Sequence, residues 1–473
     1  MEKLFIKREL VPDQPGAPII KKCPVYKKIQ RLNHLIRVIV PSPQIMLAVG
    51  CLLFAVPLFA QTFVDSTLIG RQISSIQVFG NKKTKSHVVL REMKQSAGDT
   101  LDLALLEGDR KRIQDLNIFN RVIIIGQPDD GLVHLTVAVT EFWYIFPYPI
   151  LHINDRDWKK ISYGAGVTHL NFRGRAEHLT FQFKLGYNPL VELGYINPWF
   201  GGTKRLRANI NAVYKKVRSK HFEKNENRDV DEKHIGFGGY FGRRFGHHIF
   251  PSIFAGYTQI SYTPPVEGKT ISSTGTDRFP ILGLFFTWDH RDLKEYPSKG
   301  WYVRSYVLKK GIPGNQIDYL KTGIDLRGYL PLKWGSTLAL RSAADMSSGT
   351  IPVYDRVFLG YGERIRGHFF EKFEGENRAI AGMALRFPVL PIRYYDAAKQ
   401  YFLSDFRFGI NMGLFVDTGL TWYQNEKITK DKMISGAGAG LHFFLPYALI
   451  LRFEIAFNEN GKTQFYIDLN VDI

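Results

Sequence analysis

The sequence has 473 residues, with 63 Lys and Arg against 44 Asp and Glu, a net charge of +19. Aromatic residues reach 14% and Gly numbers 43, while the hydrophobic fraction is only 45%. That balance favours extensive β-structure and excludes a helical membrane bundle, which needs repeated apolar runs of about 20 residues.

Residues 1–60 read as a leader. A basic stretch with Lys27, Lys28, Arg31 and Arg37 precedes the apolar run from Ile45 to Ala60, which Pro57 interrupts and which is too short to span comfortably. Closed by Ala60-Gln61, it has the three parts of a secretory signal peptide, with an anchor helix as the competing reading. Both cysteines, Cys23 and Cys51, fall inside it, so the exported remainder is expected to carry no disulfide and no thiolate metal site. The remainder stays basic, which suits an anionic lipid surface or charged loops and does not call for nucleic acid.

Residues 61–69 read as a linker and 70–142 as one compact unit. Arg71 to Gly80 suits a strand, Thr84 to Gln95 a short helix, and Leu103, Leu106, Ile113 and Leu116 recur at helical spacing within 101–116. Two strands follow, Phe119 to Gly126 and Leu132 to Thr140, joined by a turn at 127–131. This β-α-α-β-β order, with the Gly80 stop and the terminal Val139-Thr140-Glu141, resembles a POTRA domain. The resemblance implies a periplasmic module that receives unfolded chains by strand addition at an exposed edge; a plain α/β spacer is the alternative.

From residue 143 the pattern has period two. Leu449, Leu451, Phe453, Ile455 and Phe457 oppose Arg452, Glu454 and Asn458; Leu320, Ile324 and Leu326 oppose Lys321, Asp325 and Arg327; Leu206, Ala208, Ile210 and Ala212 oppose Arg205, Arg207, Asn209 and Asn211. Such long strands behind an export signal favour a transmembrane antiparallel β-barrel with lipid outside and a polar lumen, over a soluble sandwich. About sixteen strands are expected across 143–473, the first near Trp143 to Ile153 and the last at Gln464 to Ile473. Tight links at 171–175, 199–203 and 445–447 should face the periplasm, and the loops at 217–232, 262–277 and 346–375 the exterior.

Four short motifs then share one order. They are Asp289-His290-Arg291-Asp292 with Pro297 and Gly300, Ile365-Arg366-Gly367-His368-Phe369, Leu385-Arg386-Phe387-Pro388, and Phe415-Val416-Asp417-Thr418-Gly419. Together with a single POTRA-like unit and the strand count, they resemble the BamA/TamA-like superfamily of outer-membrane assembly and translocation proteins, the bacterial surface antigen family. Ile365 and His368 depart from that family's Val-Arg-Gly-aromatic pattern.

The resemblance implies that the loop near 346–375 folds back into the lumen and that Arg366 pairs with Asp417. Alternation permits this, because Ile410, Met412, Leu414 and Val416 form the lipid face and leave Asp417 inward. The family's second carboxylate corresponds to Ala384, so a lock resting chiefly on Asp417 is expected, with Arg386 also inward; His368 reads as a packed, neutral imidazole, with a pH-sensitive contact as the alternative. Implied partners are unfolded outer-membrane clients or one secreted protein, outer-membrane lipid and accessory lipoproteins; no cofactor is implied.

Catalysis is not expected. No Gly-x-Ser-x-Gly elbow, His-Glu-x-x-His or phosphate loop occurs, and the glycine runs 236–242 and 436–440 sit in strand patterns. Two functions remain open: an assembly factor that inserts barrels through a lateral seam, and a two-partner-type pore that exports an extended protein. Pro147 and Pro149 in the first strand, which cannot donate ladder hydrogen bonds, favour the seam.

Overall fold

The computed structural model describes residues 62–153, 160–201, 205–218, 230–360, 362–368, 371–395, 406–445 and 450–469. The expected leader with Cys23 and Cys51, Phe369 of the loop motif and residues 470–473 lie outside the described residues.

The N-terminal domain contains Thr62–Phe63 (β1), Ile73–Phe79 (β2), Ser86–Leu90 (α1), Leu103–Gln114 (α2), Phe119–Asp129 (β3) and Leu132–Glu141 (β4), with sheet order β1-β3-β4-β2. Strand β1 was expected as linker; it runs parallel to β3 and at two residues is too short to show a period. Helix α1 is shorter than the expected 84–95 because the N–H groups of Lys94 and Gln95 donate to the Asp109 carboxylate, at 2.9 and 3.2 Å, instead of to helical carbonyls. Asp102 caps α2 by accepting from the Ala104 and Leu105 N–H groups. Pairing of β3 with β4 extends through Asp129, so the turn narrows to Asp130-Gly131, both at positive φ, the twist a two-residue hairpin needs. Leu106, Ile113, Val122, Ile124, Leu135 and Val137 fill the core between the helices and the sheet.

Sixteen strands follow in one antiparallel sheet. The first eight are Ile145–Ile153 (β5), Ile161–Phe172 (β6), Glu177–Gly186 (β7), Leu190–Phe200 (β8), Leu206–Arg218 (β9), Asp231–Arg243 (β10), Ile249–Thr263 (β11) and Thr276–Asp289 (β12). Gly300–Gly311 (β13), Asp318–Pro331 (β14) and Thr337–Gly349 (β15) continue it. A small hairpin, Val357–Leu359 (β16) with Phe373–Gly375 (β17), then leaves the sheet, so that β15 pairs directly with Asn377–Tyr395 (β18). Phe406–Trp422 (β19), Ile434–Phe444 (β20), Ile450–Asn458 (β21) and Thr463–Leu469 (β22) complete the order, whose two ends are β5 and β22.

Alternation along each strand decides what faces out. On β12, Leu282 and Leu284 are 62% and 64% exposed, whereas Phe285 between the outward Leu284 and Phe286 is 8% exposed. Inside, glycines let rings lie against the wall: a Cβ on Gly238 or Gly256 would come within 2.9 Å of Phe254 Cζ, which explains the glycines of 236–242 as close packing.

The two ends of the barrel are closed differently. At the far end, Tyr262, Phe279, Tyr319 and Ile351 form a small apolar cluster. Beneath it, buried Asp277 accepts the Ile271 and Ser272 N–H groups and the Tyr354 hydroxyl. At the near end the N-terminal domain docks on the short turns. Lys85 N–H donates to Gly174 O at 2.9 Å, Asn171 Nδ2 to Thr84 Oγ1 at 2.9 Å, Lys111 Nζ to Asp292 at 3.2 Å and Lys294 N–H to Asp115 at 3.0 Å.

Glu92 is the centre of this docking. It is 3% exposed and receives both terminal nitrogens of Arg244, at 3.2 and 3.3 Å, with Arg91 at 3.5 Å. Burial alone would raise its pKa, but His247, Arg244 and Arg91 hold it at about 2.

Candidate functional site

The segment 350–376 begins and ends at the far end of the barrel, yet its tip lies inside. Hairpin β16/β17 starts the return, tied by Arg356 to Glu374 at 2.7 Å. Each charged residue of the tip then meets a different part of the wall. Glu363 accepts from Arg341 of β15 at 2.9 Å, Arg364 pairs with Asp468 of β22, and Arg366 reaches β19 and β21.

Arg366 forms a fork on Asp417, with Nε to Oδ2 at 2.5 Å and Nη2 to Oδ1 at 2.7 Å. Its third nitrogen, Nη1, donates to Glu454 Oε1 at 3.3 Å, and its guanidinium carbon lies 3.7 Å from the centre of the Phe415 ring. Arg366 and Asp417 are 7% and 6% exposed and Glu454 is fully buried. A planar cation between two carboxylates and over an aromatic face is held in one orientation by directional bonds as well as by charge.

The backbone explains why small residues surround it. Gly367 adopts φ 103°, which an L side chain rarely does, and Gly419 leaves room for Ile365, whose Cδ1 would be 2.9 Å from an added Cβ. Gly436 on β20 is stricter: a Cβ there would sit 1.7 Å from the carbonyl oxygen of Arg366. Ile365 is 2% exposed and packs with Leu359 and Ile434.

One expectation is corrected and another refined. The lock does not rest chiefly on Asp417: Ala384 occupies a small apolar cluster with Tyr329, Ala339, Phe415, Ala456 and Tyr466, and the second carboxylate comes from Glu454 of β21. Glu454 was already on the inward face by alternation, but only the sheet register puts it level with Arg366. His368 is packed as expected, at 2% exposed, but its ring nitrogens face carboxylates instead of apolar side chains. Its Nδ1 contacts Glu371, and its Nε2 lies 2.8 Å from Glu459 Oε2 and 3.2 Å from Ser435 O. Burial opposes its charge, but the two carboxylates raise its pKa above the ordinary imidazole value.

The remaining motif residues gather at the near end. Asp289 accepts a fork from Arg291, at 2.8 Å twice, and Asp292 accepts the Ser298 and Lys299 N–H groups and the Ser298 hydroxyl. Gly300 is at φ 108°, with His290 O where a Cβ would be. Arg386 Nη1 donates to Pro297 O at 3.1 Å, and the guanidinium stacks 4.4 Å from Tyr296. Two motifs 89 residues apart thus meet. Phe387 pairs with Met412, and after Pro388 the β18/β19 register shifts. Among the described residues no group of three His, Cys, Asp or Glu is arranged to hold a metal ion.

Sequence and fold comparisons agree with this arrangement. The Omp85 superfamily domain matches residues 171–471, and the POTRA domain described as a surface antigen variable number repeat matches 72–141. The outer membrane protein assembly factor BamA of Nitratidesulfovibrio vulgaris is 25% identical over 323 residues, covering 64% of this chain and 39% of the relative. The chain thus spans about two fifths of that relative's length. Among solved structures, BamA from Haemophilus ducreyi lacking POTRA domains 1–3 has a TM-score of 0.50 at 17% identity, covering 85% of this chain and 84% of its own. CdiB from Escherichia coli has a TM-score of 0.54 at 12% identity, covering 85% and 76%. At these identities the two structures speak for a shared fold.

Proposed function

This chain belongs to the Omp85 superfamily, and on that premise we propose that it is a non-enzymatic outer-membrane assembly factor. Its barrel sits in the outer membrane of a Gram-negative bacterium with the POTRA domain in the periplasm. In this reading unfolded clients reach the barrel through the single POTRA domain and insert through the seam between β5 and β22.

The seam carries the proposal. The sheet order ends at these two strands, and among the described residues no ladder joins them. A proline in a paired strand sits where its missing N–H would face away from the partner, and β5 pairs with β6 along its whole length. Pro147 and Pro149 therefore remove donors from the open edge, which weakens closure against β22 and leaves that edge ready for a client strand. The loop bears on the same seam, because Arg364 binds Asp468 on β22 while Arg366 holds the neighbouring strands. Withdrawal of the tip would release the last strand.

Depletion of the protein followed by outer-membrane proteomics tests this. Loss of many barrels is the expected result. Loss of a single exported protein would favour the secretion pore, and an unchanged outer membrane would contradict both.

A further inference from the structure

Across the sheet from the loop lock, a cavity of about 490 Å³ lies between the docked POTRA domain and the lumen wall. Its cations divide into two groups. Arg112, Arg244, Arg291 and Lys294 are compensated by Asp109, Glu92, Asp289 and Asp115 respectively. Arg207 of β9 and Arg304 of β13 have no ion pair and no hydrogen bond among the described residues; each rests against a ring, Arg207 5.4 Å from Phe250 and Arg304 5.7 Å from Phe285. Half-buried His178 and Asn209 beside them also lack a protein partner among the described residues.

The lining carboxylates Glu92, Asp115 and Asp289 are each already matched by a cation, so the charges of half-buried Arg207 and exposed Arg304 are left over for a ligand. The same wall supplies apolar surface. Tyr240 lies 4.7 Å from Phe254 and 4.9 Å from Phe285, and Phe285 stacks on Tyr306 at 5.7 Å. Tyr240, Phe285 and Arg304 also line a second cavity of about 310 Å³ nearer the loop, so the surface continues along the lumen.

Spacing selects the ligand. Strands β9 and β13 are four positions apart in the sheet, which separates their backbones by roughly 19 Å, the length of about six extended residues. An extended chain with separated carboxylates fits this better than one compact anion. The cavity is on the inner face, away from the lipid-facing residues, which disfavours a lipid headgroup with its acyl chains. We propose that this vestibule binds acidic segments of extended polypeptides, with carboxylates on Arg207 and Arg304 and apolar side chains against the Tyr240 to Phe285 strip. This rests on the reading that the protein handles unfolded chains, but it assigns a binding site separate from the seam.

The test is fluorescence anisotropy on the purified full-length protein in detergent micelles, using a labelled peptide of alternating Asp and Phe and its Asn-Phe counterpart. The Asp peptide should bind and the Asn peptide should not, with Arg207→Gln and Arg304→Gln each weakening binding by about tenfold, the scale of one lost charge-assisted hydrogen bond. Arg304→Lys should retain most of the affinity. Heat-dependent gel migration verifies that each variant is folded, and the wild-type comparison of the two peptides decides the matter even if a variant is not. Equal affinity for both peptides, no binding of the Asp peptide, or unchanged affinity in the folded double variant would overturn the proposal. So would full displacement by inorganic phosphate, which would assign the site to a compact anion. Binding is read without insertion, so a failure here is distinguishable from a failure of the depletion experiment.

Discussion

Arg366 and Glu92 are mirror images at opposite closures of one barrel. Inside the lumen a single cation is held by carboxylates from two strands; at the periplasmic mouth a single carboxylate is held by cations from the POTRA domain and a barrel turn. Asp417 and Glu454 lie on strands separated only by β20, so the loop arginine suppresses repulsion inside the wall as well as anchoring the loop. Glu92 ties the POTRA domain to a barrel turn and not one barrel strand to another, so its loss should loosen the docking and leave the wall intact. The first contact is therefore expected to govern barrel stability and the second the position of the POTRA domain.

The largest effect should come from Arg366→Ala, which strips buried Asp417 of its cation and leaves Glu454 only Arg452 and His442, at 3.6 and 3.5 Å; it is expected to cost about 3–5 kcal/mol, read as the urea midpoint of the heat-modifiable barrel band. Asp417→Ala should cost less, because Glu454 still meets the guanidinium, and the double variant should fall short of the sum. Equal and additive costs would remove the distinction between one cation and two acids.

Gly436→Ala comes next. It keeps every charge but places a methyl group against the Arg366 carbonyl, so the loop tip should lose protection from hydrogen exchange while β19 and β21 keep theirs. Unchanged protection would mean that the loop is not seated against β20.

Glu92→Gln should increase protease cleavage around the docked turns with little change in barrel unfolding. The pH dependence at this mouth has two signs. Asp115 is pushed up to about 6 by burial, partly offset by Lys294, so protonation favours docking as pH falls from 7 to 5. Glu92, held at about 2, contributes docking energy above its ordinary value of 4.5 that is lost as pH falls towards 2. Cleavage should thus pass through a minimum in mild acid; a monotonic rise on acidification would count against these assignments.

The smallest effect is expected at His368. Its raised pKa makes the charged contacts with Glu371 and Glu459 complete below the ordinary imidazole value and lost as pH rises through the raised one. His368→Phe should flatten this dependence of loop protection, and an undiminished slope would place the titration elsewhere.

Much of the barrel was legible because a polar lumen and a lipid exterior impose period two on nearly every strand. The inward direction of Asp417 and the external parity of the loop came from that alternation, while its pairing with Arg366 came from resemblance. Which inward residues stand level is a matter of register, and a single strand carries no information about its neighbour's offset. Glu454 and Gly436 were therefore missed as parts of the site although both strands were recognised. Glu92 had no periodic signature at all, since beyond adjacent Arg91 its partner Arg244 lies on a barrel turn 152 residues away. Strand β1 was too short to leave a pattern.

The most direct measurement concerns the seam. A cysteine pair placed across β5 and β22 in the full-length protein can be oxidised to close the seam and reduced to reopen it, while insertion of a radiolabelled barrel precursor is followed in reconstituted vesicles. Insertion should stop on oxidation and recover on reduction, with the POTRA domain and loop unchanged. Insertion that proceeds at the same rate through an oxidised seam would contradict lateral entry.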